Sequence, residues 1–396
     1  MRPTSFIVVA LFTVVSRAHG QQLAVLGQKL QDVEAWARED TNDAERQYTL
    51  ALRHWKEHHW RQTDSLLRLA VKLAPRYTDA YLALYLLPYA RRPSLWSEEG
   101  RGRVPDSWKS IVEEAHGFYQ RAIRIDPMVN LQIMSVAFEI TEPTAADLTT
   151  PQYLEYQRYY AWFVDLGFGR YRSARERLRK LGQSVYDEAK HPDRVPDYIL
   201  WYRGLAEAHT LQLDSAMADF RVLLDRSLKA TQRDEVIHIP LHDNEYRFVL
   251  ANLYDYAGKS DSALALYQEA LEHDLGLVMA HRYLAGIHDR AHRPEETLLE
   301  LRRAAEISTD DPVAPYELAV ALFNAGLVVE AEEPLRQAVA MNARYSPPYY
   351  LLGRAAEDAG RTAEAREQYT RFLARAPLGM EAVRADVQRR LEALPK

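Results

Sequence analysis

The sequence predicts an all-α fold in which helical hairpins stack side by side into a solenoid. Three observations predict it, and the first is a 34-residue repeat in the C-terminal half, with equivalent apolar positions at Leu250, Leu284, Leu318 and Leu352. The second is that small and bulky residues keep the same period. The small positions are Ala251, Ala285, Ala319 and Gly353, and the bulky ones are Tyr267, Leu301, Leu335 and Tyr369. The third is that apolar residues within each unit fall at helical intervals in two stretches, separated by a turn such as Ala257-Gly258.

Each repeat is therefore expected to be one helical hairpin. A small residue where two helices cross lets their backbones approach, and a bulky residue on the partner helix fills the space beside it. One hairpin cannot bury its own apolar face, whereas stacked hairpins bury a continuous core. The predicted architecture is a stack of hairpins rather than a closed globule.

The last unit has a more specific pattern. It reads Tyr349-x2-Leu352-Gly353, followed by Ala365-x3-Tyr369 and then Pro377. This resembles the tetratricopeptide repeat (TPR), whose pattern is Trp-x2-Leu-Gly-x2-Tyr, then Ala-x3-Phe, then Pro. The resemblance implies a right-handed superhelical solenoid of about eight hairpins with capping helices, in which the first helices line a concave groove that holds a peptide or a partner's helix.

The first twenty residues have the features of a signal peptide. Arg2 gives a positive start, residues 6–15 are almost all apolar, and Ala18-His19-Gly20 supplies the small residues of a cleavage site. The alternative is an uncleaved anchor, but the apolar run is about half of the roughly 20 residues that a spanning helix needs. We expect cleavage after Gly20 and export to the periplasm or the medium, with no membrane span left. The chain has no Cys, so no lipoprotein anchor is expected.

The remaining elements follow in order along the chain. Helically spaced apolar residues from Leu23 to Val33 predict an N-terminal cap, and those from Val383 to Leu391 predict a C-terminal one. Between residues 44 and 243 the period is interrupted, first by an 18-residue insertion near residues 91–107. The predicted parts are a signal peptide (1–20), an N-terminal capping helix (21–43), irregular hairpins with inserted loops (44–243), four regular units (244–379) and a C-terminal capping helix (380–396).

Composition excludes several classes of function. The 50 Lys and Arg residues are outnumbered by 56 Asp and Glu, which gives a net charge of -6 and argues against a nucleic-acid partner. Without Cys there is no disulfide, thiolate nucleophile or iron–sulfur cluster. No catalytic or cofactor-binding motif stands out, so we expect a protein that is not an enzyme and binds no cofactor or metal.

Three groups of histidines are the candidates for chemistry. His54, His58 and His59 form the densest cluster, and His238 and His242 lie in an interrupting loop that ends at Asp243. His288 and His292 imitate a zinc-protease motif, but His292 falls at a repeat turn. We interpret all of them as structural, since a metal site needs a third ligand beside them. The alternative function is a metal-binding or enzymatic protein that uses the His54 cluster or the 238–243 loop.

The family frame places a set of aromatic, arginine and other side chains toward the groove. They are Tyr198, Trp201, Phe248, Asn252, Arg282, Tyr316, Val320, Phe323, Tyr350 and Arg354. Tyr, Trp and Arg are the residue types that dominate interface hot spots. The sequence therefore predicts an exported scaffold that binds a protein or peptide partner, and a bacterial envelope assembly is the setting we expect. Two alternatives stay open: several of these rings pack between repeats, or the face holds a second copy of the chain.

Overall fold

A computed structural model describes residues 29–99, 102–125, 161–162, 165–166, 169–233 and 243–395. All regular secondary structure in these ranges is helical. The predicted signal peptide and the loop around His238 and His242 lie outside them. Within the same ranges, no helix has both the length and the apolar character that crossing a membrane requires.

Two groups of helices with described bounds precede the regular array. The first group is α1 (Leu30–Glu39), α2 (Ala44–Lys56), α3 (Trp60–Leu73), α4 (Thr78–Arg91), α5 (Leu95–Glu99) and α6 (Asp106–Ile125). The second is α7 (Tyr171–Val185), a 3₁₀ turn (Pro192–Arg194), α8 (Asp197–His209) and α9 (Leu213–Arg233). The short helix α5 lies in the inserted stretch, and α4 and α6 on either side of it pack together as one hairpin.

The regular array has eight helices of similar length and one terminal helix. They are α10 (Asp243–Tyr256), α11 (Ser260–His273), α12 (Val278–Arg290), α13 (Pro294–Ile307), α14 (Val313–Asn324), α15 (Val328–Met341), α16 (Pro347–Asp358), α17 (Thr362–Arg375) and α18 (Glu381–Ala393). We call α10–α11, α12–α13, α14–α15 and α16–α17 the first to fourth regular units, each with a first and a second helix.

The hairpins stack in sequence order. The two helices of a unit pack on each other, and the second helix packs on the first helix of the next unit. Hydrophobic clusters cross the boundaries between units: Phe248 shares one with Leu284 of the next unit, and Ala285 shares another with Leu318 and Leu352. The all-α solenoid of helical hairpins predicted from the repeat is confirmed.

Close approach explains the small positions of the repeat. In the fourth regular unit a Cβ at Gly353 would lie 2.4 Å from ring atoms of Tyr369. At Gly204, in α8, the same atom would lie 2.8 Å from the ring of Phe220. The small residue on the first helix and the bulky ring on the second are therefore in direct contact, as the sequence reasoning expects.

The turn between the two helices of each regular unit contains one residue with left-handed backbone. The φ angles are 73° at Gly258, 58° at His292, 79° at Gly326 and 71° at Gly360, again at the repeat period. The next backbone N–H donates to the carbonyl five residues earlier, as Lys259 does to Tyr254 at 2.8 Å. This is a helix-ending motif that favours glycine, because other residues meet a steric cost in this conformation. His292 is thus a turn residue, as predicted, and occupies a position where three of four units have glycine.

A pair of substitutions tests this turn. Gly326→Ala is expected to lower the free energy of unfolding by about 1–2 kcal/mol, because alanine bears the left-handed cost. His292→Gly relieves that cost but makes the unfolded chain more flexible, so stability is expected to change by less than about 1 kcal/mol. Urea denaturation followed by circular dichroism measures both. No atom lies within 4 Å of a Cβ at Gly326, so a loss there reports the backbone; equal losses in the two variants would contradict the explanation.

Candidate functional site

Partly exposed side chains recur at equivalent positions of successive first helices. Arg282, Tyr316 and Tyr350 are 34 residues apart, and Val320 and Arg354 form a second such series one turn later. We call these positions, together with similarly exposed ones on the first helices, the first-helix face. Its members are Tyr198, Asn252, Arg282, Tyr316, Val320, Phe323, Tyr350 and Arg354, each at least partly exposed.

Two of the residues predicted to line the groove are not on this face. Trp201 is 3% exposed and packs edge-on against Phe220 at 5.2 Å and Tyr246 at 5.8 Å between ring centroids. Phe248 is 6% exposed and packs in the same way against Tyr267 and Tyr283. Both rings fill the space between helices, which was the alternative interpretation. The prediction that they point into a groove is corrected, because both positions face the second helix of their own unit and the first helix of the next.

Contacts across units hold several side chains of the first-helix face in place. Arg282 forms a two-pronged ion pair with Glu317 on the first helix of the next unit. The Tyr350 hydroxyl donates to Asp386 Oδ2 on α18 at 3.1 Å and accepts from Arg354 Nη1 at 3.4 Å. These contacts therefore hold the side chains of Arg282, Tyr350 and Arg354 in defined orientations.

Burial favours the protonated, neutral form of the Tyr316 phenol. It raises the pKa of Tyr316 to about 12, and the nearby Glu317 and Tyr350 contribute in the same direction. The Tyr316 ring also packs edge-on against Tyr345, with centroids 5.5 Å apart. Tyr316 is thus neutral at physiological pH and offers a fixed ring with a hydroxyl that can donate or accept a hydrogen bond.

Within the His54 cluster, the structure brings the imidazole rings of His54 and His59 into contact. His54 Nδ1 lies 3.2 Å from His59 Nδ1, and Glu34 Oε1 is 3.8 Å from His54 Nε2. Burial, followed by the charge of His59, lowers the pKa of His54, so neutral imidazole is favoured there. His58 has a φ of 58° and belongs to the turn between α2 and α3. Among the described residues, no three His, Asp or Glu side chains converge as metal ligands.

A buried pair that the sequence analysis did not single out lies in the second regular unit. His281 Nδ1 is 2.6 Å from Glu300 Oε2, and Arg303 Nη1 donates to Glu300 Oε1 at 2.6 Å. Burial alone would raise the pKa of Glu300, but the hydrogen bonds from His281 and Arg303 hold it below its ordinary value. The pair borders an open pocket of about 560 Å³ between α11, α12 and α13.

The repeat itself carried a signal for this pair. Residue 247, one period before His281, is an arginine, and Arg247 Nε donates to Glu269 on the second helix of its own unit at 2.8 Å. In both units a side-chain nitrogen of the first helix therefore contacts an acid of the second. Since both oxygens of Glu300 have partners, we assign the pair a packing role.

The folded chain is a helical-repeat protein with a pre-oriented face of rings and guanidinium groups on its first helices. Residues 248–312 and 350–386 match the family model of the tetratricopeptide repeat. These two stretches thus match the repeat that the sequence resemblance predicted, and repeats of this family typically mediate interactions between proteins.

The solved structures that this chain resembles include TPR proteins. The C-terminal part of a TPR repeat-containing protein from Cytophaga hutchinsonii has 17% identity and a TM-score of 0.42, over 55% of this chain and 78% of the other. YrrB, described as a TPR protein with an unusual peptide-binding site, has 14% identity and a TM-score of 0.37, over 52% of this chain and 98% of the other. Yeast Tom70 has 13% identity and a TM-score of 0.35, over 90% of this chain and 76% of the other. A comparison with curated proteins finds no match.

Proposed function

We propose that this chain is an exported, non-catalytic TPR scaffold that binds a protein or peptide partner along its first-helix face. The observation that carries the proposal is the row of partly exposed rings and arginines at equivalent positions of successive first helices. Tyr and Arg bury a large area at modest entropy cost, and residues of these types concentrate binding energy at interfaces. The cross-unit contacts of Arg282 and Tyr350 support it, because they pre-organise the face.

The chemistry of the face favours a partner with both apolar and acidic side chains. Tyr316, Val320 and Phe323 lie on one helix, α14, and present apolar surface to a partner. Arg354 on α16 adds a cation for a carboxylate. Export, for which the N-terminal twenty residues argue, gives the partner a periplasmic or extracellular location, and a bacterial envelope assembly is the process we favour.

A pair of matched variants tests the proposal. Val320→Glu with Arg354→Glu alters the first-helix face, and Val329→Glu with Arg302→Glu makes the same change of charge on second helices. Val329 is 83% exposed and the Arg302 side chain 49%, so the control lies on open surface. We expect cross-linked capture from the native envelope fraction, by residues 21–396, to fall at least tenfold in the first variant only. Mass spectrometry identifies the captured protein, and circular dichroism confirms that both variants are helical.

Two results would contradict the proposal. If the first-helix variant captures the same proteins in the same amounts as the wild type, binding takes place elsewhere on the surface. If both variants lose capture equally, the effect is one of net charge and not of a particular face.

A further inference from the structure

The N-terminal hairpins contact the regular array at positions far apart in sequence. Asp40 Oδ2 accepts from the backbone N–H of Leu378, and Asn42 Nδ2 donates to the Ala374 carbonyl at 3.1 Å. Asn342 Nδ2 donates to the Lys72 carbonyl at 2.6 Å. Residues later in the N-terminal part therefore contact residues earlier in the C-terminal part. The two parts thus meet edge to edge in antiparallel order.

Ion pairs form the far end of this contact, at the third regular unit. Arg76, in the loop between α3 and α4, donates to Glu317 Oε1 at 3.0 Å and to Asp311 Oδ2 at 3.4 Å. Arg121, in α6, forms an ion pair with Asp310 and lies 4.0 Å from Asp311. Two cations of the N-terminal hairpins therefore meet three acids of the regular array.

The pairs that involve Asp311 and Glu317 are shielded from solvent more than ordinary surface pairs, whereas the Asp310 side chain is 75% exposed. The exposed fraction of the side chain is 11% for Asp311, 16% for Arg121 and 22% for Arg76. Partial burial reduces screening by water and salt, so such charges interact more strongly than freely exposed ones. Removing one partner leaves a poorly solvated charge behind, which favours separation of the two parts.

One of the acids links this contact to the first-helix face. Glu317, on α14, binds both Arg76 and Arg282, and Arg282 is a member of the face. Arg76 thus binds Glu317, the same carboxylate that holds Arg282 of the first-helix face in place. A partner that uses Arg282 or Tyr316 has to approach beside Arg76.

We infer that the N-terminal hairpins form an intramolecular clasp on the third regular unit, which limits access to the first-helix face until the clasp opens. The contacts establish the clasp independently of the proposed function, whereas its effect on partner access rests on that function. Opening exposes Glu317 and the acids beside it. The stacked core of each part stays intact, because the clasp consists of hydrogen bonds and ion pairs between polar groups of the two parts.

The absence of cysteine makes a direct test possible. Thr41→Cys and Ala374→Cys place one thiol on an exposed position of each part and keep the Asn42 hydrogen bond, and a short bis-maleimide joins the thiols within one chain only when the clasp is closed. On this background we expect efficient cross-linking at low protein concentration. Arg76→Glu with Arg121→Glu is expected to lower the cross-linked fraction at least fivefold.

Two controls separate the clasp from general effects of charge. Arg61→Glu changes an exposed arginine of α3 and is expected to leave cross-linking unchanged. Reversing the Arg121–Asp310 pair with Arg121→Glu and Asp310→Arg is expected to restore cross-linking relative to Arg121→Glu alone. Circular dichroism verifies that each variant keeps its helices.

Several outcomes would overturn the inference. Absence of cross-linking in the cysteine background means that the two parts do not meet, and cross-linking unaffected by Arg76→Glu with Arg121→Glu means that the ion pairs do not hold them. The same arginine variant, without the cysteines, is then used in the capture experiment. Capture of the wild-type partner in at least threefold greater amount supports restricted access, and unchanged capture by the opened chain overturns it while leaving the proposed function standing.

Discussion

Replacing Arg203 with methionine is expected to lower the free energy of unfolding by about 3–5 kcal/mol, the cost of removing one partner from a buried ion network. Arg203, in α8, has a side chain that is only 8% exposed and lies between two carboxylates. It binds both oxygens of Asp219 at 2.7 Å and both oxygens of Glu188 at 2.7 and 2.8 Å. Methionine fills similar space but leaves the buried Asp219 without its counter-charge.

The loss is expected to depend on pH in a defined direction. Burial raises the pKa of Asp219 above its ordinary value, although Arg203 pulls it down. Without Arg203 the raising effect of burial remains, so the folded variant binds a proton more readily than the unfolded chain. A group with a raised pKa stabilises the fold at low pH and loses that effect as the pH rises through the folded-state value. The deficit of the variant is therefore expected to shrink between neutral pH and the ordinary range of a carboxyl group.

Urea denaturation at neutral and mildly acidic pH measures both effects. Arg172→Met is the matched control, since Arg172 is an exposed arginine of the neighbouring helix α7. Its stability is expected to stay within about 0.5 kcal/mol of the wild type. Equal small changes in the two variants, or a deficit in Arg203→Met that does not vary with pH, would show that the Asp219 charge does not depend on Arg203.

Trp201→Ala is expected to lower the free energy of unfolding by about 3–5 kcal/mol, as for a large aromatic side chain removed from a packed core. The ring fills the space between Phe220 and Tyr246 and is almost entirely buried. Truncation leaves a cavity that the two neighbouring rings cannot close without repacking.

Tyr198→Ala, one helical turn earlier, is the control. Tyr198 is 36% exposed, so its truncation is expected to cost under about 2 kcal/mol. Urea denaturation of the two variants separates a packing residue from a surface one. A Trp201→Ala protein of wild-type stability that no longer captures the wild-type partner would instead return Trp201 to the binding surface.

Neighbouring residues of α8 show where sequence reasoning reached its limit. Tyr198 and Trp201 have similar chemistry and both belong to a first helix, and the frame of the resembled family placed both toward the groove. The structure separates them, because rings from α9 and α10 pack on Trp201 while Tyr198 stays at the surface. Their different burial depends on the tilt between helices, which the spacing of residues along one helix does not specify.

The repeat alone determined the local architecture of this protein. A 34-residue period, small residues facing bulky ones and a turn residue at a constant phase specify stacked hairpins, because each contact involves neighbours in sequence. The buried contacts of Trp201, the carboxylates around Arg203 and the clasp from Arg76 to Glu317 depended on tertiary structure. The last of these joins residues 241 positions apart. A period describes what repeats along the chain, whereas these interactions each occur once and depend on how distant parts of the solenoid come together in space.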